Sequence, residues 1–513
     1  MTLLSTTSRR YLITATSLIC AVLTLIAASG ETAQVQILHT TDIHGFVQKS
    51  DHLDKGGGFL RLATLIKKHR RNFGPDKTLL IDTGDTIQGT WQAFVNRGQA
   101  GIEIMDHLEY DVWVPGNHEL DYGIDRLRKL CRKPGISAFA GNLKLKNNDS
   151  FRPLPAWRIF QKNGTSIAVI GATASYLRNW FCKKKYRGYQ VKKASELLRS
   201  IMPDVFRARP DMIILAAHQG WHPNDKRNVN EIDEIVENYP EIDLVVGGHT
   251  HWTIAGTRIG EKTWYVQPGA HAEHLAVIRA EINTEKNRVE DISSFLVTAD
   301  RRVEMDTSSR RVAADLLSKA EEKGQRIAGK TREEISANGT PGVNCEASEL
   351  IAKAIAEAAD SPVVLHGTLS DKSIQKGSVT YNDLFNLLPY ENTIMTCRLS
   401  PAQLKNIIEE QYDKRKTSAA CGLWGINAAI SKEGRVLDLK KPGGSQLRGR
   451  IKTSLNSYTA AGGGGRFPVL RSILNKKESR LKTTGISTRK AVGDYFRNHS
   501  PLKIDCRKWL EIK

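Results

Sequence analysis

The sequence predicts an α/β fold made of a large layered domain followed by a smaller one. Between about residues 34 and 298, short apolar runs alternate with segments whose apolar residues recur at helical spacing. Strand–helix alternation of this kind is typical of a sheet covered by helices. A charged segment at 299–309 interrupts the pattern, and the rest of the chain carries helices of its own. We therefore expect two domains joined by a linker.

The individual elements follow from the spacing of apolar residues along the chain. Segments 58–70 and 102–108 predict helices in the first domain, which we place at 34–298. The linker and a bridging amphipathic helix at 312–326 occupy 299–326. The second domain, 327–513, is expected to contain helices at 346–359 and 402–412. Its basic stretch at 440–450 predicts an exposed loop, and four glycines stand at 462–465.

Length and composition place the chain among ordinary globular proteins. Its 513 residues suffice for two or three domains, and 40% hydrophobic with 25% charged residues argue against wholesale disorder. The formal net charge is +20 at pH 7. This excess favours anionic partners, nucleic acid among them, although a solvated basic surface explains it equally well.

The N-terminus has the pattern of an export signal. Arg9 and Arg10 precede an uncharged apolar stretch that reaches Ala28, and small residues follow. We expect cleavage near Gly30, so that residues 1–30 form a signal peptide of either the Sec or the twin-arginine type. No later segment is long and apolar enough to span a bilayer. The mature protein is therefore expected in the periplasm or outside the cell.

The cysteines argue against a cysteine-built zinc site. Six of the seven cysteines lie beyond the signal, and none forms a CxxC pair. In an oxidising compartment some of them could form disulfides, and the sequence does not determine which.

Five apolar runs in the first domain each end at side chains that can bind metal. These side chains are Asp42 and His44 after 35–38, Asp85 after 79–81, Asn117 and His118 after 112–114, His218 after 212–217, and His249 and His251 after 244–246. Because the carboxyl ends of strands converge at one edge of an α/β sheet, we expect one site on the rim of a sheet. The pairs 42/44 and 249/251 could each present two ligands to one cavity if the backbone stays extended beyond the strand.

Each of these residues has an ordinary structural explanation when taken alone. A histidine at a strand end is usually hydrogen-bonded in the core, and an aspartate or asparagine after glycine is a common turn residue. The occurrence of all five clusters in order makes the shared site the better interpretation.

The donor set predicts a pair of transition-metal ions. Two carboxylates, one amide and four imidazoles suit Zn, Mn or Fe better than Ca or Mg. Seven ligands serve two ions if one carboxylate bridges them, and we expect Asp85 to do so. Two such ions leave a net positive cavity, which favours phosphate and attack by a metal-bound hydroxide.

The same residues resemble the calcineurin-like metallophosphoesterases, in their periplasmic or secreted 5′-nucleotidase branch. The stretches that carry the resemblance begin at Asp42, Gly84, Gly116, Ala217 and Gly248, and later at Leu388 and Asn456. It covers nearly the whole mature chain. It implies a layered α-β-β-α metallophosphoesterase domain followed by a smaller α+β nucleotidase C-terminal domain.

The resemblance also implies roles for individual residues. One metal would be held by Asp42, His44, Asp85 and His251, and the other by Asp85, Asn117, His218 and His249. His118 corresponds to the catalytic histidine, oriented by Asp121. A cationic His118 could stabilise developing charge or protonate the leaving oxygen. For Asp121, a carboxylate at a helix start is the plainer alternative.

The second domain departs from the pattern of these relatives. An arginine that usually helps to bind substrate is missing from the stretch 366–372, and an aspartate of the glycine-rich turn is replaced around Arg466. We expect substrate contacts from Arg466 and from Phe467, which could stack on a base, with Trp424 as a second ring face. For Trp424 a core position is at least as good an explanation.

We therefore expect a secreted dinuclear-metal phosphoesterase that hydrolyses phosphate esters of nucleotides. The alternatives within enzymes are a 2′,3′-cyclic-nucleotide phosphodiesterase, a UDP-sugar hydrolase or a nuclease, and, ranked lower, a thiosulfohydrolase. A non-catalytic anion-binding protein is the alternative from another class. The sequence leaves the metal, the exact substrate and the oligomeric state open.

Overall fold

The computed structural model describes residues 32–48, 57–133, 135–147, 150–177, 188–223, 230–390, 392–412 and 422–513. The predicted signal at 1–30 lies outside these residues, as do Cys20, Cys182 and Cys421. Among the described residues, no helix combines the length and apolar character needed to cross a membrane. The four described cysteines, Cys131, Cys345, Cys397 and Cys506, are unpaired.

The first domain contains fourteen described strands and six helices that precede the bridging segment. The strands are β1 (Thr32–Thr40), β2 (Thr78–Asp82), β3 (Val112–Trp113), β4 (Leu143–Asn147), β5 (Ser150–Pro153), β6 (Trp157–Lys162), β7 (Thr165–Ala172), β8 (Tyr189–Val191), β9 (Met212–Ala217), β10 (Leu244–Val246), β11 (Thr253–Ile259), β12 (Thr263–Pro268), β13 (His274–Asn283) and β14 (Arg288–Thr298). The helices are α1 (Phe59–Phe73), α2 (Trp91–Asn96), α3 (Gln99–His107), α4 (Ile124–Leu130), α5 (Ala194–Arg207) and α6 (Ile232–Asn238). The predicted helices at 58–70 and 102–108 correspond to α1 and α3.

Two sheets form the centre of this domain. One has the order β14-β13-β1-β2-β3, and the other has the order β11-β12-β10-β9-β7-β6. Strands β1, β2 and β3 run parallel to one another, and so do β7, β9, β10 and β12. A short third sheet, β5-β4-β8, lies apart from them.

Alternating side chains of the central strands face different cores. Ile37 of β1 packs in a core between the two sheets together with Ile214 of β9. Its neighbour Leu38 packs in a second core against the residues of α1 and α3. On the far side, Leu215 of β9 packs with the residues of α5 and α6 in a third core. Because successive strand residues point to opposite faces, these three cores separate four layers, which confirms the expected α-β-β-α architecture.

The bridging helix α7 (Thr307–Gly324) begins earlier than the sequence predicts. Segment 299–309 was expected to be a linker, yet its last three residues already form the first turn of α7. The reason is local: the Asp306 side chain caps the helix by accepting a hydrogen bond from Ser309 N at 2.7 Å. Lys67 Nζ of α1 lies 2.8 Å from the same carboxylate, so the cap also ties α7 to the first domain.

The second domain is smaller and mixes helices with short sheets. Its strands are β15 (Ile327–Thr331), β16 (Val363–Leu365), β17 (Gly377–Thr380), β18 (Thr393–Leu399), β19 (Asn427–Ile430), β20 (Val436–Lys440), β21 (Ile451–Asn456), β22 (Lys482–Ser487) and β23 (Leu510–Ile512). Its helices are α8 (Glu346–Ala359), α9 (Tyr381–Leu387), α10 (Pro401–Tyr412), α11 (Ser457–Ala460), α12 (Pro468–Asn475) and α13 (Thr488–His499). The largest sheet has the order β16-β21-β18-β22. Helices α8 and α10 match the predicted segments 346–359 and 402–412.

Candidate functional site

The strand-end residues of the first domain meet at one end of the two facing central sheets. Asp42 and Asp85 follow β1 and β2 of one sheet, whereas His218 and His249 follow β9 and β10 of the other. The expectation of a rim on a single sheet was therefore wrong. The two sheets pack face to face through apolar side chains. The carboxyl ends of parallel strands from both sheets therefore lie close together.

We expected the backbone to stay extended at the pairs 42/44 and 249/251. It does not. Positive φ angles occur at Asp42 (49°), His44 (50°), Asp85 (52°), His249 (73°) and His251 (60°). Left-handed backbone is uncommon outside glycine and concentrates at functional sites. These turns bring Asp42 and His44 into one group of side chains and direct His249 and His251 to two different groups.

Asp42, His44 and His251 form the first group of possible metal ligands. The Nε2 atoms of His44 and His251 lie 3.0 Å apart. Asp42 Oδ1 lies 3.8 Å from His44 Nε2 and 3.5 Å from His251 Nε2. All three ligand atoms therefore surround one small volume.

Asp85, His218 and His249 form the second group, and Asn117 belongs to it by distance. Asn117 Oδ1 lies 3.2 Å from His218 Nε2 and 2.8 Å from His249 Nδ1. Asp85 Oδ2 lies 3.2 Å from His218 Nε2. The same oxygen is 3.9 Å from His44 Nε2 of the first group, so Asp85 stands between the two groups.

The hydrogen bonds of the Nδ1 atoms of His44 and His218 indicate whether the two groups fit metal ions. His44 Nδ1 donates to Gln88 O at 2.9 Å, and His218 Nδ1 donates to Thr83 O at 2.6 Å. In the neutral rings, each Nε2 is thereby left to present a lone pair toward the acceptors of Asp85 and its neighbours. Acceptors that converge on acceptors without a donor repel one another unless a cation lies between them. The donor set therefore fits two divalent ions.

Protonation preferences support the same conclusion. Burial lowers the pKa of both His44 and His249 to about 3, so these rings are neutral and can donate lone pairs at pH 7. Burial would also lower the pKa of His218, but the Asp85 carboxylate outweighs it and raises the value to about 10. The second group thus favours positive charge beside Asp85, which a divalent cation supplies.

Glu119 fixes the two loops that carry Asp85 and Asn117. Its fully buried carboxylate accepts four backbone N–H groups: Asp85 and Gly116 on Oε2 at 2.8 and 2.6 Å, and Thr86 and Ile87 on Oε1 at 2.7 and 3.3 Å. The Glu119 side chain therefore fixes the positions of the two loops relative to each other.

His118 lies beside the ligand groups, and Asp121 holds its ring. His118 N donates to Asp85 Oδ1 at 2.7 Å, and its Nδ1 lies 2.8 Å from Asp121 Oδ2. Burial alone would lower the pKa of His118, but Asp85 and Asp121 raise it to about 9. With Nδ1 engaged by Asp121, Nε2 is the ring atom that can donate to a bound anion.

His271 belongs to this region, although the sequence-based analysis did not select it. Its ring centroid lies 5.8 Å from that of His44 and 5.6 Å from that of His251. His271 N also donates to Asp42 O at 2.7 Å. No sequence pattern marks this residue, because only the parallel pairing of β12 with β10 brings the end of β12 to the site.

Tyr390, from the second domain, also reaches the site. Its ring stacks on His118 with centroids 5.8 Å apart and an interplanar angle of 26°. Burial raises the pKa of Tyr390, as does Asp121, whereas the positive charge of Arg466 opposes the shift. Arg466, which is exposed, therefore acts electrostatically on the same ring.

Of the two aromatic residues expected to bind substrate, Phe467 lies in the second-domain core and Trp424 is half-buried against that core. Phe467 is 3% exposed and packs with Leu470 and Leu404. The Trp424 indole donates to Glu349 Oε1 at 3.0 Å and packs on Trp509, as its core explanation required. The Phe467 ring is therefore covered by apolar neighbours in this structure, whereas Trp424 keeps part of its surface exposed.

Comparisons with known proteins agree with the fold. Residues 35–253 match the family model of calcineurin-like phosphoesterases, and residues 326–472 match that of the 5′-nucleotidase C-terminal domain. The chain is 26% identical to the 5′-nucleotidase of Vibrio parahaemolyticus, over 92% of this chain and 91% of that one. It is 24% identical to protein UshA of Yersinia enterocolitica, over 92% of each.

Among solved structures, the fold resembles that of a candidate 5′-nucleotidase from Staphylococcus aureus. The TM-score is 0.78 at 20% identity, with 94% of this chain and 100% of the other covered.

The fold and the paired ligand groups define a metal-dependent phosphoester hydrolase that uses two divalent ions. More narrowly, the chain joins a calcineurin-like phosphoesterase domain to a 5′-nucleotidase C-terminal domain.

Proposed function

We propose that this protein hydrolyses phosphate esters of nucleotides in the manner of a 5′-nucleotidase. The observation that carries the proposal is the position of Asp85 between two groups of possible metal ligands, with His118 N donating to its carboxylate. Nucleotides are the substrate class because the second domain and the relatives named 5′-nucleotidase point to them.

Seven residues would hold the two ions. Asp42, His44, Asp85 and His251 would bind one ion, and Asp85, Asn117, His218 and His249 the other. The mixture of imidazole and oxygen donors favours Zn, Mn or Fe. When bound, the ions supply Lewis acidity and lower the pKa of coordinated water toward about 7.

The side chains of this chain would then do three things. Asp121 would hold the His118 imidazole through Nδ1. The protonated ring would donate from Nε2 to a phosphoryl oxygen or to the leaving oxygen as negative charge develops. Arg466 of the second domain is exposed, and its positive charge acts on Tyr390. It would also attract the anionic substrate. For Phe467 a substrate role would require the core around it to open.

We also propose the domain limits 34–298 and 327–513, joined through 299–326, and export by the segment 1–30. Arg9 and Arg10 before the apolar stretch support export to the periplasm or the medium. Nucleic acid remains an alternative substrate because of the net charge of +20.

A substrate panel tests the proposed activity. Metal-free protein is supplemented with Mn²⁺ or Zn²⁺ and assayed for phosphate or product release from AMP, 2′,3′-cyclic AMP, UDP-glucose, single-stranded DNA and p-nitrophenyl phosphate. We expect AMP to give the highest kcat/KM, and we expect activity to vanish with chelator and to return with metal.

Two results would reject the proposal. Preferential cleavage of DNA or of the cyclic nucleotide would replace it by the corresponding diesterase. Metal-loaded protein that turned over none of these esters would favour an anion-binding protein.

A further inference from the structure

Each group of possible metal ligands combines side chains from both central sheets. In the first group, Asp42 follows β1 of one sheet, whereas His251 comes from the loop after β10 of the other. In the second group, Asp85 follows β2, whereas His218 follows β9. Neither group can close around an ion unless the two sheets keep a fixed position relative to each other. Apolar packing between the sheets is not directional, so it does not set that position as closely as a metal site requires.

Thr83 makes hydrogen bonds that cross from one sheet to the other. It follows β2 directly and is fully buried. Its Oγ1 donates to Gly247 O, after β10 of the other sheet, at 3.1 Å. Its carbonyl oxygen accepts from His218 Nδ1 at 2.6 Å, and its N–H donates to Thr40 O of β1 at 3.0 Å. Thr83 therefore joins the ends of β1, β2, β9 and β10.

His39 fixes the direction of the Thr83 hydroxyl. His39 lies on β1, is fully buried, and places its Nε2 3.0 Å from Thr83 Oγ1. A hydroxyl group has one hydrogen, and that of Thr83 is directed at Gly247 O, so the imidazole N–H donates and the hydroxyl accepts. The hydroxyl is thus held between a donor on its own sheet and an acceptor on the other. Hydrogen bonds in series inside a buried region strengthen one another.

The loop after β10 passes very close to β1 and β2 beside this hydroxyl. A Cβ at Gly248 would lie 3.1 Å from Thr83 Oγ1 and 2.3 Å from Thr41 Oγ1. The next residue, His249, donates from its backbone N to Asp42 Oδ2 at 2.9 Å. Movement of this loop relative to β2 would therefore carry His249 away from Asp42.

We propose that Thr83 is a positioning residue that sets the relative position of the two sheets at the metal site. It acts through His218 and through Gly247. Asp42 also joins the sheets, but Asp42 is itself one of the possible ligands. This inference rests on the two-ion site of the proposed function. It adds to that site a residue that determines how well the ligands from the two sheets fit together.

Replacement of the Thr83 hydroxyl tests the inference by metal binding, without any substrate. Thr83→Val keeps the shape of the side chain and removes both hydrogen bonds of Oγ1, which leaves the His39 N–H buried without its acceptor. Affinity for Mn²⁺ is measured by titration calorimetry of metal-free protein. It should fall about 10-fold, the lower end of the loss for residues behind metal ligands. Thr83→Ser keeps the hydroxyl and should retain the wild-type affinity.

A spectroscopic measurement separates alignment of the site from general stability. When two Mn²⁺ ions occupy neighbouring sites, their EPR spectrum shows an exchange coupling that depends on their separation and on the ligand between them. Thr83→Val should change this spectrum, because the ligands from the two sheets no longer keep the same relative position. Thr83→Ser should give the wild-type spectrum.

Thr263→Val is the matched control. Thr263 is also fully buried, and its Oγ1 donates to Ile242 O at 2.8 Å. It stands at the start of β12, at the opposite end of that strand from the site. Thermal midpoints are measured for every variant, and Thr263→Val should lower the midpoint without changing Mn²⁺ affinity or the EPR spectrum. If Thr83→Val fails to fold, Thr83→Ala and Thr263→Ala replace the pair.

Two outcomes would overturn the inference. Equal Mn²⁺ affinity and equal EPR spectra for the wild type and Thr83→Val would show that the hydroxyl does not set the site. Equal losses in Thr83→Val and Thr263→Val would show a general effect of one lost buried hydrogen bond. Failure of the proposed function looks different, because the wild type would then bind two Mn²⁺ ions and yet hydrolyse neither AMP nor p-nitrophenyl phosphate.

Discussion

At the scale of single residues, Asp85 is the centre of the site. One of its carboxylate oxygens accepts His118 N, and the other lies between His44 and His218. Its backbone reaches this position with a φ of 52°, after Gly84 at 96°. A side chain at Gly84 would place its Cβ 2.3 Å from Val114 O, so only glycine fits before Asp85. The bridging position therefore depends on the turn as much as on the carboxylate.

Replacement of His118 tests its chemical role. His118→Asn should lower kcat by about 10²–10⁴-fold, the usual contribution of a positioned acid–base group, while both metal ions remain bound. His499→Asn, at an exposed position in the second domain, is the matched control. Turnover and metal content are measured on the same samples. Wild-type turnover in the His118 variant would refute the assignment.

Replacement of Glu119 tests the support behind the ligands. In Glu119→Gln an amide NH₂ would face backbone N–H groups that now donate to a carboxylate. We expect metal affinity to fall about 10–100-fold, as for other residues that orient ligands. Titration calorimetry of Mn²⁺ into metal-free protein measures the change. Glu410→Gln is the control, since Glu410 accepts two backbone N–H groups in the second domain. Equal affinities for wild type and E119Q would contradict this reasoning.

At the scale of elements, the ends of strands and helices determine what lies at the site. Strands β1, β2, β9 and β10 end at ligands, and β12 ends just before His271. Helix α7 begins at a cap that also holds α1 through Lys67. The start of this bridging helix therefore positions the segment between the domains.

Removal of the α7 cap should destabilise the junction of the domains. Asp306→Ala loses both the bond to Ser309 N and the ion pair with Lys67. A lost N-cap costs about 1–2 kcal/mol, and the partly exposed ion pair adds little. We expect a lower thermal midpoint for this variant. Asp204→Ala, which breaks only an exposed pair with Arg207, should leave the midpoint unchanged. Equal midpoints for the two variants would show that the cap is unimportant.

At the scale of the whole molecule, the domains meet through aromatic residues and shared hydrogen bonds. Trp91 of the first domain donates from Nε1 to Ala320 O of the bridging helix at 2.7 Å. Its ring also packs against Tyr381 and Phe385 of the second domain. The reaction centre and the domain junction are thus neighbouring parts of one structure.

Acid should destabilise the molecule through its buried histidines. Burial lowers the pKa of His366 to about 4, below its ordinary value of 6.5. The unfolded chain therefore binds the proton first, and stability present above pH 6.5 is lost as pH falls toward 4. One such group contributes a loss of about 1 kcal/mol between pH 7.5 and 5.5.

The pH slope of unfolding isolates this contribution. Urea midpoints are measured at both pH values in excess chelator, which removes the pH dependence of metal binding. His366→Asn should show a shallower slope than the wild type, whatever its absolute stability. His499→Asn, which changes an exposed histidine, should retain the wild-type slope. Parallel slopes for wild type and H366N would reject the linkage.

Much of this architecture was predictable because it depends on local patterns. Consecutive apolar residues such as Ile37 and Leu38 predict strands buried on both faces. Helix α8 coincides with its predicted bounds because its periodicity and its ends are local features. The start of α7 was missed because one capping side chain outweighed the polar composition of its first turn. His271 was missed because only the parallel pairing of β12 with β10 brings its strand end to the site.

The sequence by itself determined the order and chemistry of the ligands, since these follow from residue type and from where each strand ends. His249 and His251 lie in different groups, as the resemblance implied, and only the tertiary structure gives the reason: left-handed turns, and not an extended strand, decide where the two rings point. Only the packing of the second domain buried Phe467 and brought Tyr390 onto His118. Tyr390 and His118 lie 272 positions apart along the chain, and no local pattern of side chains records their contact.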